Sequence, residues 1–174
     1  MNKGYVQVYT GDGKGKTTAA LGLLLRAYGA GLRVYMGQFI KGGPAVSSEI
    51  KILSERFPEA IVEQYGKAGF ICGEPTPEDI SRAKDGLRRF ADALKSGEYD
   101  LMIADEANCA VDLGLLTVDE LLSLLDARPP HVELVITGRN APEALIRRAD
   151  LVTNMGAVKH YFENGVEARK GIEF

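Results

Sequence analysis

The sequence predicts a three-layer α/β domain with a mostly parallel central sheet. Short apolar runs rich in β-branched residues alternate along the chain with segments of helical period. Several of these runs are apolar enough to be buried on both faces, as strands covered by helices on both sides are. A glycine-rich loop also joins the first strand directly to the first helix. Strands that alternate with helices in this way form parallel sheets with helices on both faces.

Composition sets the limits of this fold. A chain of 174 residues suits one domain with one sizeable core, and we expect residues 1–174 to form it. The net charge of -3 gives no support to nucleic-acid binding by overall electrostatics. The separated Cys72 and Cys109, with His131 and His160 as the chain's 2 His residues, argue against a zinc site. We expect a cytoplasmic protein with reduced cysteines, no signal peptide and no membrane-spanning segment.

The first strand runs into the glycine loop, and a helical pattern over 17–30 follows the loop directly. Glycines let backbone N–H groups turn inward around an anion, and the helix N-terminus adds partial positive charge. Lys16 would reach phosphate oxygens, and the Thr17 hydroxyl would lie where Mg²⁺ can bind it. The pattern therefore predicts that the chain binds a nucleoside polyphosphate. The loop residues expected at the nucleotide are Thr10, Gly11, Asp12, Gly13, Lys14, Gly15, Lys16, Thr17 and Thr18.

The next elements are a buried strand over 33–39, a short helix over 49–56 and another strand over 61–65. The 33–39 strand ends near Gln38 and leads into a loop with Lys41. Loops after the carboxyl ends of strands are where doubly wound sheets bind ligands. Lys41 is accordingly a candidate phosphate contact, and solvation is its alternative role.

Residues 66–75 form the least regular segment, which is rich in glycine yet carries Phe70 and Ile71. Such a loop is either pinned to the core by these side chains or closes with them over a ligand. A helix follows, with Thr76 as its N-cap and Pro77 at its first position, and it extends to about residue 96.

An apolar strand over 101–106 ends in two carboxylates, Asp105 and Glu106. In phosphate-loop folds the strand expected beside the first one ends in an acid that holds Mg²⁺ directly or through water. Adjacent residues of a strand point to opposite sides, so we expect different roles for the two acids.

The remaining chain continues the alternation. Thr117 and Glu120 form a capping box for a helix over 118–127. A core strand over 132–137, a helix over 142–149 and a strand over 151–155 follow. The tail over 156–174 lacks a helical period, and we expect it over the ligand edge of the sheet or along an edge strand.

Several segments together resemble the phosphate-loop type of ATP:corrinoid adenosyltransferases. They are residues 9–20 with 38–42, residues 105–108, residues 136–153 and the ending over 158–174. The strings Thr-Gly-Arg-Asn-Ala-Pro over 137–142 and Lys-Gly-Ile-Glu-Phe over 170–174 are more specific to that family than the loop itself. Thr10 also fits, because the family's loop has the same shortened glycine pattern. The resemblance covers nearly the whole chain and implies a RecA-like phosphate-loop NTPase domain.

The resemblance implies transfer of the 5′-deoxyadenosyl group from ATP to the cobalt of a reduced corrinoid, with release of triphosphate. Lys14 and Lys16 would then stabilise the leaving triphosphate, together with Mg²⁺ at Thr17. Co(I) is itself the nucleophile, so the reaction requires no Ser, Cys or His nucleophile. Family likeness further implies a homodimer and a flavoprotein electron donor.

The resemblance also implies residue roles outside the loop. Gln38, Lys41 and Arg139 would contact the nucleotide, and Glu106 would lie closer to the metal than Asp105. Many relatives carry Phe-x-Trp before the long helix, where aromatic residues displace the corrinoid's lower ligand. Here that segment reads Phe70-Ile71-Cys72, so Phe70 is the residue to which the family role transfers.

Two alternatives from other classes remain open on the sequence. One is an ATP-hydrolysing or phosphoryl-transferring enzyme in which Glu106 positions water or a substrate hydroxyl. The other is a nucleotide- or corrinoid-binding regulator without turnover. A dinucleotide oxidoreductase is disfavoured, because the loop does not match GxGxxG and the second strand ends in Gln38 rather than an acid.

Overall fold

The computed structural model describes residues 2–43, 47–67, 69, 71 and 73–173. Within these residues six strands form one sheet in the order β3-β2-β4-β5-β1-β6, and every pairing is parallel. The elements in chain order are β1 (Val6–Thr10), α1 (Lys16–Gly29), β2 (Val34–Gln38), α2 (Ser48–Arg56), β3 (Ile61–Gln64), α3 (Pro77–Ser96), β4 (Leu101–Asp105), α4 (Ala107–Asp112), α5 (Val118–Ala127), β5 (Glu133–Thr137), α6 (Glu143–Arg148) and β6 (Leu151–Asn154). The predicted three-layer α/β class is confirmed.

The position of the acid-bearing strand corrects one expectation. β1 pairs with β5 on one side and with β6 on the other, whereas β4 pairs with β2 and β5. The prediction that the strand ending in Asp105 lies beside β1 is therefore wrong. The acid still reaches the phosphate loop, because α1 crosses the sheet from the end of β1 and packs against β4.

Side chains alternate between two apolar layers, as the period of a strand requires. On the α1 side, Met36, Ile103 and Val135 pack with Leu24 of the helix. On the other side a cluster built around Phe90 packs the sheet against α3 and α5. At the carboxyl ends of β2, β4 and β5, the buried polar residues Gln38, Asp105 and Thr137 therefore lie on the α1 side, each two residues after an apolar residue of that layer.

The helix ends follow the predicted capping chemistry. The Thr117 hydroxyl accepts from the Glu120 N–H, and the Glu120 carboxylate accepts from the Thr117 N–H. Thr76 and Asp79 form a matching capping box at the start of α3. Helix α4 was not predicted, because its six residues are too few to show a helical period.

The tail contains a 3₁₀ turn over Tyr161–Asn164, and its last described residues contact the phosphate loop. The expectation that the tail lies over the ligand edge is thus confirmed. No helix in the part of the chain that the structure describes has both the length and the apolarity needed to cross a bilayer.

Candidate active site

The phosphate loop lies between β1 and α1, pressed against the chain that follows β6. Gly11 and Gly15 adopt φ angles of 97° and 123°, which residues other than glycine rarely adopt. A Cβ on Gly13 would come within 2.6 Å of the Met155 carbonyl oxygen. The Gly13 N–H donates to that same oxygen at 2.7 Å. The loop conformation therefore depends on Met155, which sequence reasoning did not identify.

The Lys16 side chain is enclosed by the loop, with 8% of the residue exposed. Its Nζ donates to the carbonyl oxygens of Gly11 and Gly13 at 2.6 and 2.7 Å. Burial lowers the pKa of Lys16, and the negative charge of Glu106 opposes this effect. The ammonium group is thus held inside the anion-binding loop, where a phosphate oxygen would compete with backbone carbonyls.

Asp105 is the fully buried centre of the polar cluster next to the loop. Its Oδ1 accepts hydrogen bonds from the hydroxyls of Thr17 and Thr137, each at 2.8 Å. Its Oδ2 accepts from Gln38 Nε2 at 3.0 Å and lies 3.6 Å from Lys41 Nζ. The structure therefore brings the predicted residues Thr17, Gln38, Lys41 and Asp105 together.

Glu106 has contacts different from those of Asp105, but strand alternation is not the reason, because β4 ends at Asp105 and Glu106 is the N-cap of α4. Its backbone has a φ of 60°, and its N–H donates to Thr137 Oγ1 at 3.0 Å. Its carboxylate accepts a hydrogen bond from the Cys109 thiol at 2.8 Å. Burial and the adjacent Glu106 charge raise the pKa of Cys109 to about 12. The Thr17 hydroxyl thus contacts Asp105. That Glu106 lies closer to a bound metal than Asp105 stays a prediction.

The loop after β5 closes another side of the site. The Thr10 hydroxyl accepts from the Ala141 N–H at 3.2 Å, which ties the end of β1 to this loop. The Arg139 N–H donates to Cys109 Sγ at 3.2 Å, and the Arg139 charge contributes to lowering the pKa of Lys16. The positive charge of Arg139 therefore adds to that of Lys16 on this side of the loop.

Lys14 contacts the tail. Its Nζ donates to the Glu173 carboxylate at 2.9 Å, the Ile172 carbonyl at 2.8 Å and the Tyr161 hydroxyl at 3.1 Å. The hydrogen bond to Glu173 is the main reason that the pKa of Lys14 is raised. Sequence reasoning identified Lys14 but not these partners, which lie far away in the sequence.

The other predicted residues lie either around the phosphate loop or in the segment before α3. Asp12 and Thr18 lie in or beside the loop with exposed side chains. Phe70 and Cys72 lie outside the described residues. The neighbouring Ile71 packs against the apolar core, and the same region holds an ion pair of 2.8 Å between Lys67 and Asp79.

The donors at Asp105 fit a magnesium ion. Among the described residues, no group of three or more His, Cys, Asp and Glu side chains could hold a metal by itself. The Thr17 hydroxyl and the Asp105 carboxylate are hard oxygen donors 2.8 Å apart. Mg²⁺ prefers such ligands and completes its shell with phosphate oxygens and water. The arrangement suits a metal that arrives with a nucleotide.

Comparisons with known proteins match nearly the whole chain and agree on one family. A family model described as ATP:corrinoid adenosyltransferase BtuR/CobO/CobP matches residues 2–174. A corrinoid adenosyltransferase of Pseudomonas aeruginosa is 37% identical over 173 residues, which cover 99% of this chain and 84% of that protein. Corrinoid adenosyltransferase CobA of Salmonella typhimurium is 36% identical over 177 residues, which cover 99% of this chain and 86% of that protein.

Proposed function

Because the chain belongs to the ATP:corrinoid adenosyltransferase family, we propose that its phosphate-loop site transfers the 5′-deoxyadenosyl group of ATP to a reduced corrinoid. The Co(I) electron pair attacks C5′ of ATP and forms the Co–C bond. The C5′–O bond breaks, and its electron pair leaves with inorganic triphosphate. No proton transfer to or from the protein is needed at the reacting carbon.

The observation that carries this proposal is an anion-binding loop beside which the described residues include no activated nucleophile. Lys16 lies inside the loop, with Arg139 near it. The one thiol that the structure describes, Cys109, has a pKa raised to about 12 and is a poor nucleophile at neutral pH. A substrate that is itself the nucleophile needs only a fixed pose of ATP and stabilisation of the leaving group.

The proposed roles follow from the contacts. Lys16 neutralises the leaving triphosphate, and Lys14 joins it after releasing Glu173. Thr17, Asp105 and Glu106 are the proposed metal-side residues, and bound Mg²⁺ would supply positive charge to the phosphates. Gln38, Lys41 and Arg139 complete the nucleotide contacts. Phe70 is the proposed apolar contact to the lower face of the corrin ring, and Ile71 would join it by leaving the core against which it packs here.

The biological setting belongs to the same proposal. Co(I) requires a strong one-electron donor, and a flavoprotein is the donor that family likeness implies. Consumption of ATP and the need for a reduced metal fit the cytoplasm. We propose a homodimer as the assembled form.

The hydrolytic alternative is distinguished from adenosyl transfer by its products. It would use Glu106 to position water, and in this structure Glu106 Oε2 accepts a hydrogen bond from the Cys109 thiol at 2.8 Å. Hydrolysis would yield ADP and orthophosphate, whereas adenosyl transfer yields triphosphate and a light-sensitive alkylcobalt product. Product analysis with ATP, Mg²⁺ and chemically reduced corrinoid therefore separates the two reactions.

Lys16→Ala is the variant that tests the site within this assay. It removes a charge-assisted phosphate contact, so turnover or ATP affinity should fall at least about tenfold. Lys51→Ala is the matched control, because it removes an exposed lysine from α2. Wild-type protein that yields ADP instead of triphosphate would contradict the reaction. Unchanged ATP binding and turnover in Lys16→Ala would contradict the site.

A further inference from the structure

A row of polar side chains crosses the sheet at its ligand edge. Gln64 on β3 is the register partner of Gln38 on β2, and Gln38 is the register partner of Asp105 on β4. Register partners in parallel strands share a face of the sheet. This face is the one that packs against α1, because Met36 and Ile103, two residues earlier on their strands, contact that helix layer.

Hydrogen bonds join the row from end to end. Gln64 Nε2 donates to Gln38 Oε1 at 2.9 Å, and Gln38 Nε2 donates to Asp105 Oδ2 at 3.0 Å. The other carboxylate oxygen, Oδ1, accepts from the Thr17 hydroxyl at 2.8 Å. The edge of the sheet at β3 is thus connected to the start of α1, where the metal-side residues lie.

The chemistry of the amide fixes the direction of this chain. An ionised carboxylate only accepts hydrogen bonds, so Gln38 must present its NH₂ group to Asp105. Its carbonyl oxygen then faces Gln64, which must donate. Gln38 is 0% exposed, so water cannot replace a missing donor without opening the sheet.

Loss of the Gln64 donor would leave the buried Gln38 carbonyl oxygen unpaired. The amide would then be held through its NH₂ group alone, and a shift of the side chain towards another donor would lengthen its hydrogen bond to Asp105 Oδ2. Asp105 would then turn towards its remaining donors, which include Lys41 Nζ at 3.6 Å. Its alignment with Thr17 would be disturbed, although Gln64 touches neither residue.

We propose that Gln64 is a positioning residue, which orients Asp105 through Gln38 for the divalent cation that accompanies ATP. This inference rests on the proposed function for the identity of the site. It adds Gln64, which lies on the edge strand β3 and belongs to no sequence motif, to the residues of that site.

The test measures cation binding directly. Mn²⁺ is titrated into protein that is in excess over ATP, so that the ATP is protein-bound, and free Mn²⁺ is followed by electron paramagnetic resonance with ATP alone as the blank. Gln64→Met keeps the length of the side chain without a donor, and the affinity for Mn²⁺ should fall roughly threefold to tenfold. Gln64→Glu has the same shape but accepts from the Gln38 amide, so the affinity should fall at least as far.

The second variant separates orientation from charge. An added carboxylate near the site would by itself attract Mn²⁺ and raise the affinity. Weaker binding in Gln64→Glu therefore reports a Gln38 amide whose NH₂ group is drawn from Asp105 to the new carboxylate. Glu63→Gln is the control, because Glu63 is adjacent on β3 and pairs with Arg89 at 2.7 Å on the opposite face of the sheet. It should bind Mn²⁺ as the wild-type protein does.

Two results would overturn the proposal. One is wild-type affinity for Mn²⁺ in Gln64→Met, and the other is tighter binding in Gln64→Glu. Circular dichroism of each variant verifies that the fold is kept. Failure of the proposed function has a different signature, since wild-type protein would then bind Mn²⁺ with ATP yet make no triphosphate from reduced corrinoid.

Discussion

At the scale of single residues, Asp105 joins parts of the chain that are distant in sequence. Hydroxyls from α1 and β5 and an amide from β2 donate to one buried carboxylate. A buried carboxylate is stable only when its oxygens are satisfied in this way. The same contacts leave it aligned with Thr17, so a requirement of folding also prepares the site.

Cys109 gives a prediction at this scale. Burial and Glu106 raise the pKa of its thiol to about 12, so at pH 8 very little thiolate exists. In Cys72→Ser protein, where Cys109 is the remaining cysteine, Ellman's reagent should react at least about a hundredfold more slowly in the native state than in urea. Stopped-flow absorbance measures both rates.

Glu106→Gln provides the control for that experiment. It removes the charge that helps to raise the Cys109 pKa, so the native reaction should become faster. Equal rates in native and unfolded protein would show that Cys109 is not held as the buried, hydrogen-bonded thiol described above.

Site residues were predictable where a local pattern carries them. The glycine loop identifies Lys16 and Thr17, and a strand that ends in acid identifies Asp105. Gln64 and Thr137 have no local signal, because their relation to Asp105 depends on register between strands distant in the sequence. Sequence reasoning would have needed the strand order to place them.

At the scale of elements, the start of α3 depends on Asp79. Its carboxylate accepts from the Thr76 N–H and hydroxyl and pairs with Lys67 Nζ at 2.8 Å. The contact with Lys67 and then those with Thr76 lower the pKa of Asp79 to about 2, compared with 3.8 ordinarily. One side chain therefore caps the helix and also pairs with Lys67, which lies before it in the sequence.

Asp79→Asn should accordingly lower the free energy of unfolding at pH 7. Because the folded pKa is depressed, the stabilisation is fully present above the unfolded pKa near 4 and is lost as the pH falls through about 2. The difference between wild type and variant should thus be constant near neutrality and shrink between about pH 4 and 2. Urea midpoints measured across that range test this.

Asp119→Asn is the matched control, since Asp119 also lies in the first turn of a helix but is not the capping-box acid. Its effect on the midpoint should be small. A difference for Asp79→Asn that persists unchanged at pH 2 would contradict the assigned contacts.

Element positions were largely predictable because most elements carry their own period and caps. The helix over Val118–Ala127 matches its predicted bounds, with Thr117 and Glu120 as the reason. Strand order was not predictable to the same degree, because β5 enters between β1 and β4 through pairing that no local pattern encodes.

At the scale of the whole molecule, the C-terminal tail of the described chain meets the phosphate loop that follows β1. Glu173 binds Lys14, Tyr161 and Arg169, and these contacts hold its pKa well below the usual value. The tail is thereby fastened to the phosphate loop by charged groups at the surface.

Glu173→Gln should loosen this attachment. Hydrogen exchange of a peptide covering residues 157–173 should become about twofold to fivefold faster, as expected for the loss of exposed ion pairs. High salt should produce part of the same increase in wild-type protein. Exchange followed by mass spectrometry measures both.

Glu163→Gln serves as the comparison, because Glu163 lies in the 3₁₀ turn with an exposed side chain. Its exchange should match that of wild type. Equal protection of the tail in Glu173→Gln and wild type would mean that other contacts hold it in place.

The pairing of β1 has a consequence for the growing polypeptide. β1 leaves the ribosome well before β5 and β6, yet these are the strands on either side of it. The Met155 carbonyl that receives the Gly13 N–H is made later still. During translation the glycine segment therefore lacks β5, β6 and the Met155 carbonyl as partners. Nucleotide binding cannot help the early half of the chain to fold at that stage. The glycine loop gains its partner carbonyl only after Met155 has been synthesised.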